Sequence, residues 1–357
     1  MKLPLTLRAG TSAHSAYRVA FGLLAAAMVF VAPFVVEAFR TRQLTQGIAF
    51  AVAVLGLNLL TGTTGQISLG HSAFIGVGAY TTAILVQQQS WTYLATIPVT
   101  FALCFALGYA IGIPALRIKG FHLALLTLGL AVVFPALVKT FDGLTGGTNG
   151  LRVSFDLVPP PWTGLPVGDE HIWTYFNVLA VAVVMFVAAR NLTASRVGRA
   201  WRAIRQHETG AAVSGVNVAA SKTSAFGYSA AFAGVAGSLL VMDTQFVSPD
   251  TFAVLLSIQL LTALFVGGIG TLSGSVVGGM FMVFVPWYTA QWAGPDATII
   301  RPGVLYGLLL IGVMFVAPGG VMWLVRKARS RVIVVVPPVR PASEHRSDPS
   351  EQMTQQS

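Results

Sequence analysis

Residues 190–222 read RNLTASRVGRAWRAIRQHETGAAVSGVNVAASK, a polar interlude between long apolar runs, and that contrast decides the fold. The runs on either side are long enough to cross a bilayer, so the chain enters and re-enters a membrane. Within the interlude, Arg190, Arg196, Arg199, Arg202, Arg205 and Lys222 stand against a single acid, Glu208. Val197, Ala200, Trp201 and Ile204 recur at i, i+3, i+4 and i+7, which predicts a short helix with one apolar face and one arginine-bearing face. Glu208, Ala211, Ala212 and Gly215 follow, and Gly215 is placed to break the helix before Val216. Positive charge of this density between two spans belongs on the cytoplasmic side. Two readings stand open here: a solvated basic loop that only sets orientation, or a surface helix that grips a partner.

Composition points the same way. Hydrophobic residues make up 55% of the 357 and charged residues 10%, where soluble chains carry roughly a quarter charged. Such a chain lacks the polar surface to cover itself in water, and the predicted class is an all-α polytopic transmembrane bundle of eight to ten spans. A formal net charge of +10 would suggest nucleic acid in a soluble protein. Here the excess gathers in residues 190–222 and in Arg326, Lys327, Arg329 and Arg331, where membrane orientation accounts for it. The expected surroundings are therefore the lipid bilayer, with no nucleic acid. Cys104 is the only cysteine and lies in an apolar run, so neither a disulfide framework nor a metal cluster is expected. Residues 1–16 are polar and basic, and no small-x-small cleavage pattern follows the next run, so the first helix is expected to stay attached.

Apolar runs predict helices near 17–38, 44–60, 71–88, 92–114, 121–139, 172–190, 223–243, 252–270, 275–293 and 303–325. Ten crossings place both termini on one side, the cytoplasmic one if residues 190–222 lie inside. The loop at 140–171 then lies outside; it carries Asp142, Asp156, Asp169 and Glu170 against Lys139 and Arg152. Arg117, Lys119 and the cluster from Arg326 to Arg331 agree, whereas Arg40, Arg42 and Arg301 fall outside against the rule. The expected division is a cytoplasmic segment 1–16, a membrane body 17–325 and a Pro-, Ser-, Glu- and Gln-rich tail 331–357, disordered by composition.

A second stretch, LLTGTTGQISLGHSAFIGVGAY at 59–80, breaks its helix at Gly62, Gly65 and Gly70. Irregular backbone survives in lipid only where protein or a water-filled cavity satisfies it. Transporters use such breaks to build substrate sites near the midplane, which makes Asn58, Thr61, Thr64, Gly65, Gln66, Ser68 and His71 candidates for the substrate path. The competing reading is a cytoplasmic turn whose glycines serve close packing.

From Asn58 to Tyr80, above all Thr64-Gly65-Gln66-Ile67-Ser68-Leu69-Gly70-His71 with Ala73-Phe74 and Gly76-x-Gly78-Ala79-Tyr80, the chain resembles the signature of branched-chain amino acid ABC transporter permeases of the LivM type. Residues 144–151, LTGGTNGL, are similar to that family's Leu-Thr-Gly-Gly-x-x-Gly-Leu pattern, and Gly198 to Arg205 with Gly215-Val216-Asn217 to its cytoplasmic loop. The likeness covers roughly residues 45–325. It implies a subunit of a bacterial inner-membrane importer whose partners are two ATPase subunits, a second homologous permease and a periplasmic substrate-binding protein. ATP would be used by the ATPases, with no cofactor bound by this chain. Val197, Trp201, Ile204, Arg205, Glu208, Ala211, Ala212 and Gly215 would form the ATPase-coupling loop, with Trp201 as its apolar anchor. The implied substrates are leucine, isoleucine and valine, although related permeases carry urea, short amides or other amino acids. His207 and Gly210 depart from the pattern, which has an acid and a larger or apolar residue there.

Other features carry less. Residues 267–274, GGIGTLSG, loosely repeat the first glycine break and stand either as its counterpart in an internal repeat or as a packing motif. His71 and His122 border apolar helices, where a lone histidine is more often a packing group than a ligand. The Lys222-Thr223 pair lacks the glycines of a phosphate-binding loop, so ATP binding by this chain is not expected. The twelve acids fall in loops, at span ends or in the tail, unlike the in-span carboxylates of ion-coupled carriers, which remain the weaker alternative. No nucleophile, base and orienter group together, so no enzyme is expected.

Overall fold

The computed structural model of the chain describes residues 5–8, 27–115, 121–154, 159–160, 169–293 and 319–336, with isolated positions between 304 and 317. Residues 17–26 of the first expected span lie outside it, as do Arg117, Lys119, Asp156, Asp296, Arg301, much of the last span, the segment 9–16 and the tail beyond 336.

The long apolar runs that are described are helices, because in lipid the backbone must satisfy its own polar groups. In chain order these are α1 (27–35), α2 (Ala38–Leu57), α3 (His71–Gln89), α4 (Tyr93–Ala115) and α5 (Phe121–Thr140). A short α6 (Asp142–Thr145) precedes α7 (Glu170–Ala194), α8 (Arg196–Gln206), α9 (Glu208–Val213) and α10 (Val218–Thr244). Then come α11 (Val254–Gly267), α12 (Leu272–Ala293) and α13 (Val321–Val332). Among the described residues, six helices are long and apolar enough to cross a membrane: α2 with its extension to Gly62, α4, α5, α7, α10 and α12. α3 is 19 residues long but diluted by Ser72, Thr81, Thr82 and Gln87 to Gln89. α11, at 14 residues, spans about 21 Å, short of a hydrocarbon core of roughly 30 Å.

The chain divides into two compact units, residues 1–31 with 325–357 and residues 32–324. In the first, β1 (Leu5–Arg8) pairs in parallel with β4 (Ile333–Val336), Leu5 opposite Ile333 and Arg8 opposite Val336. The expected tail 331–357 thus opens on a described strand, and beyond 336 it lies outside the described residues. Ile333-Val334-Val335-Val336 is a β-branched run that favours a strand.

The larger unit is built around α10. Its most apolar stretch is 94% enclosed, against 22% for α4 and 28% for α12. The difference lies in residue size. α10 carries Ala225, Gly227, Ser229, Ala230, Ala233, Gly234, Gly237 and Ser238, so neighbouring backbones approach closely. A Cβ at Gly237 would meet Ala79 N at 2.9 Å on α3, and one at Gly56 would meet the Ser229 carbonyl at 2.8 Å. Hydroxyls tie the packed helices: Thr82 to Ser238 at 2.7 Å, and Ser257 to Ser72 at 2.8 Å. The shell turns outward Leu103 and Leu107 of α4, Val132 and Leu137 of α5, and Val183 and Val187 of α7, an apolar surface suited to lipid.

Helix directions give the unit two distinct ends. α10 starts beside α8, where Trp201 reaches Ser221, and finishes at β3 (Phe246–Val247), which pairs with β2 (Leu151–Arg152). α2 runs the other way, from Phe39 against Trp287 to Gly62 beside Arg205. Arg40 and Arg42 thus lie at the end opposite the basic α8–α9 segment, as the ten-run order requires. Arg40 is accommodated there: its guanidinium sits 3.7 Å from the centre of the Trp287 ring and donates to Gln43 at 3.1 Å.

Candidate functional site

At the basic end, α8 and α9 form a two-helix protrusion. Ser195 caps α8 by accepting from Gly198 N at 3.4 Å, and His207 caps α9 by accepting at Nδ1 from Gly210 N at 3.3 Å. His207 therefore does the capping that an acid would otherwise do, and Gly210 supplies the N–H. Glu208 pairs with Lys222 of α10 at 2.7 Å and Asn217 caps α10, so both ends of the protrusion are pinned to the bundle.

The apolar face of α8 exists, but it faces inward. Trp201 is fully enclosed, donates from Nε1 to Ser221 O at 2.9 Å, and meets Tyr228 edge-on. Ile204 and Ala211 are buried beside it. Trp201, expected as the docking anchor, is thus packed against α10, where an indole this large and apolar gains more than at a surface position. What faces outward is Val197, Ala212, Gly215 and Val213, the last 90% exposed. Sequence reasoning missed Val213, which falls off the heptad-like spacing that singled out Trp201.

Beside the protrusion lie both glycine breaks. The first opens with a π turn over Asn58–Gly62 and reverses at Gly65, where φ is +76°. The second turns at Gly268 and Gly270, with φ +114° and +76°. Asn58 joins them, accepting at Oδ1 from Gly270 N at 2.8 Å and donating from Nδ2 to Thr271 O at 2.9 Å and Ser275 Oγ at 3.2 Å. Arg205 of α8 reaches between them and donates to Gly62 O. A cavity of about 320 Å³ opens here, lined by Asn58, Gly62, Thr63, Arg202, Arg205 and Gly270.

The residues expected on the substrate path run from Gly62 beside Arg205 inward to Ser68 and His71, which meet Ser229 nearly halfway along α10. α3 starts well inside the bundle: His71 meets Ser229, twelve residues into α10, and the Phe74 carbonyl accepts from Cys104 midway along α4. Thr61 donates to Gln66 O at 2.9 Å and Thr64 to Leu60 O at 2.8 Å. His71 is buried between Ser68, 3.1 Å from Nδ1, and Ser229, 2.7 Å from Nε2. Of the group, Gln66 alone holds an enclosed polar atom without a hydrogen-bond partner, its Nε2. A larger cavity of about 520 Å³ lies at the far end, where Trp91, Tyr93 and Trp173 surround Thr92 and Asn177. Nothing in the sequence spacing marked it, because its walls come from α3, α4, α7 and α10 together.

Comparison with known proteins bears on the whole body. The family described as "Branched-chain amino acid transport system / permease component" matches residues 39–318. The chain is 29% identical over 284 residues to the high-affinity branched-chain amino acid transport system permease protein LivM of Salmonella typhimurium, covering 73% of this chain and 66% of that protein. It is 29% identical over 273 residues to LivM of Escherichia coli, covering 70% and 64%. The matched part thus spans just under two thirds of those relatives' length. With the permease protein BraD of Pseudomonas aeruginosa the identity is 25% over 292 residues, covering 78% and 93%. No solved structure matches. The match from α2 to the last described span, on an all-helical membrane body with its glycine turns and basic protrusion together, shows that this chain belongs to the family of branched-chain amino acid transport system permease components.

Proposed function

We propose that this chain is the membrane-spanning permease subunit of an ABC importer of branched-chain amino acids in a bacterial inner membrane. Its partners are two ATPase subunits, a second permease and a periplasmic binding protein, and ATP is hydrolysed by the ATPases. The observation that carries the reading is the α8–α9 protrusion: a capped, basic two-helix element at one end of an apolar bundle, with Val213 almost fully exposed at its tip. With Val197, Ala212 and Gly215 also turned outward, Val213 offers a partner subunit an apolar contact at the end of the bundle. The protrusion faces the cytoplasm, since five arginines of the 190–222 segment stand there. The far-end cavity, aromatic walls around a few polar groups, supports an aliphatic amino acid as cargo. The glycine turns, reaching inward from Arg205, then serve the inner gate of the path.

Val213→Asp tests this in the reconstituted complex. A charge at an exposed tip leaves the fold intact, so normal abundance is expected, with stimulated ATP hydrolysis and leucine uptake both reduced about tenfold or more, the loss of one apolar anchor. Unchanged stimulation and uptake would remove α8–α9 from the coupling role. Competition of leucine uptake by isoleucine and valine, but not by urea or short amides, checks the substrate class.

A further inference from the structure

Arg205 and Asn58 hold positions that docking on an ATPase does not require. Arg205 extends from α8 into the bundle. Its guanidinium donates to the carbonyl of Gly62, the last residue of the π turn. Its stem and head lie against both reversal glycines: a Cβ built at Gly65 would sit 3.5 Å from Arg205 Cγ, and one at Gly270 would sit 3.5 Å from Arg205 Nη1. These two glycines share the same left-handed φ, +76°, and stand at matching places in Gly-Gln-Ile-Ser and Gly-Thr-Leu-Ser. The two turns are also fastened to each other. Asn58, buried in the π turn, uses its amide oxygen on Gly270 N and its amide nitrogen on Thr271 O and Ser275 Oγ. One arginine of the protrusion therefore touches the α2–α3 turn and the α11–α12 turn, and one asparagine locks those turns together. π turns widen a helix locally and often mark functional positions.

We propose that Arg205 and Asn58 are positioning residues of a mechanical relay: displacement of α8–α9 is passed through Arg205 to the π turn, and through Asn58 to the start of α12, so that both glycine turns move as one gate. The relay rests on the reading of α8–α9 as the ATPase-docking element. It gives Arg205 an inward task, which distinguishes it from the outward Val213. The 320 Å³ cavity lies at the meeting point of these groups and changes shape when they shift.

In the reconstituted complex, Arg205→Ala is expected to retain stimulated ATP hydrolysis within about twofold while leucine uptake per ATP falls about tenfold, the scale of a cut coupling contact. Arg205 keeps much of its surface in solvent and its side-chain hydrogen bond goes to Gly62, so normal abundance of Arg205→Ala is expected and is measured beside its activity. Arg205→Lys restores a donor to Gly62 and should recover part of the loss, which a purely structural role would not do. Asn58→Ala should give the same signature, and the double variant should be no worse than the poorer single variant, because both cut one connection. Multiplying losses in the double variant, or normal uptake per ATP in both single variants at normal abundance, overturns the relay. Val213→Asp run beside them separates the two failures. If Val213→Asp abolishes stimulation while Arg205→Ala and Asn58→Ala leave uptake per ATP intact, the relay alone falls. If Val213→Asp changes nothing, the docking reading falls and the relay with it.

Discussion

Gly65 and its neighbour Gln66 separate two kinds of residue that a glycine-broken motif contains. Gly65 sits at φ +76°, where a side chain strains the backbone, and the nearest atom to an added Cβ is 3.5 Å away. Space is available, so the cost of substitution is conformational, about 1 kcal/mol for alanine and more for a β-branched residue. Gln66 offers the opposite case: its Nε2 is enclosed but unpaired, while only its backbone carbonyl serves Thr61. Gln66→Ala removes no hydrogen bond of that amide within the protein and should leave thermal stability unchanged. Gly65→Val should lower both the melting temperature and uptake. If uptake per assembled complex stays normal in Gln66→Ala, the amide has no transport role, and only normal uptake per complex in Gly65→Val as well would leave this stretch a structural turn. A melting temperature for Gly65→Val equal to the parent's would contradict the strain argument. The glycine positions were readable in the sequence because each interrupts a helix between apolar runs. Their partners were not, since Asn58 meets Gly270 across 212 positions of chain.

Among the elements, α8 shows how periodicity identifies a face without saying what covers it. The spacing of Val197, Ala200, Trp201 and Ile204 predicts an amphipathic helix, and the structure has one. A bare pattern, however, describes a helix gripping a partner subunit and a helix lying on its own bundle equally well. The deciding fact is the small-residue start of α10, where Ser221 and Ser224 leave room and acceptors for the Trp201 indole. Trp201→Asp should consequently act through folding. It removes a fully buried indole, worth about 3–5 kcal/mol, and adds a buried carboxylate without a partner. The expected result is loss of assembled protein in the membrane, whereas Val213→Asp accumulates normally. Wild-type abundance of Trp201→Asp with uncoupled hydrolysis would restore the indole to the docking surface.

At the scale of the whole molecule, orientation follows from the division of charge between the two ends of the bundle. The apolar runs and their order were legible because lipid permits few backbone solutions, and α2 to α12 fall where the runs predicted them. The short α11 and the diluted α3 were harder to read as spans, as enclosure by neighbouring helices relieves them of the need to be apolar throughout. Arg40 and Arg42 opposed the charge rule, and the structure answers with Trp287 over the Arg40 guanidinium and with Asp243 accepting from Gln46 at 2.8 Å nearby. Thr148 and Thr209 test the resulting arrangement. Thr148 is exposed in the short 3-10 turn Gly147–Asn149 at the far end, and Thr209 is exposed in α9 at the basic end. Cys104 is enclosed against Phe74 O and Gly234, and Cys104→Ala provides a thiol-free background with little change of volume. In intact cells an impermeant maleimide should label a cysteine at 148 and spare one at 209. In inverted vesicles the pattern should exchange. Labelling of position 209 from outside would place the arginines of α8 in the periplasm and dismantle the coupling assignment, because no ATPase could then reach Val213.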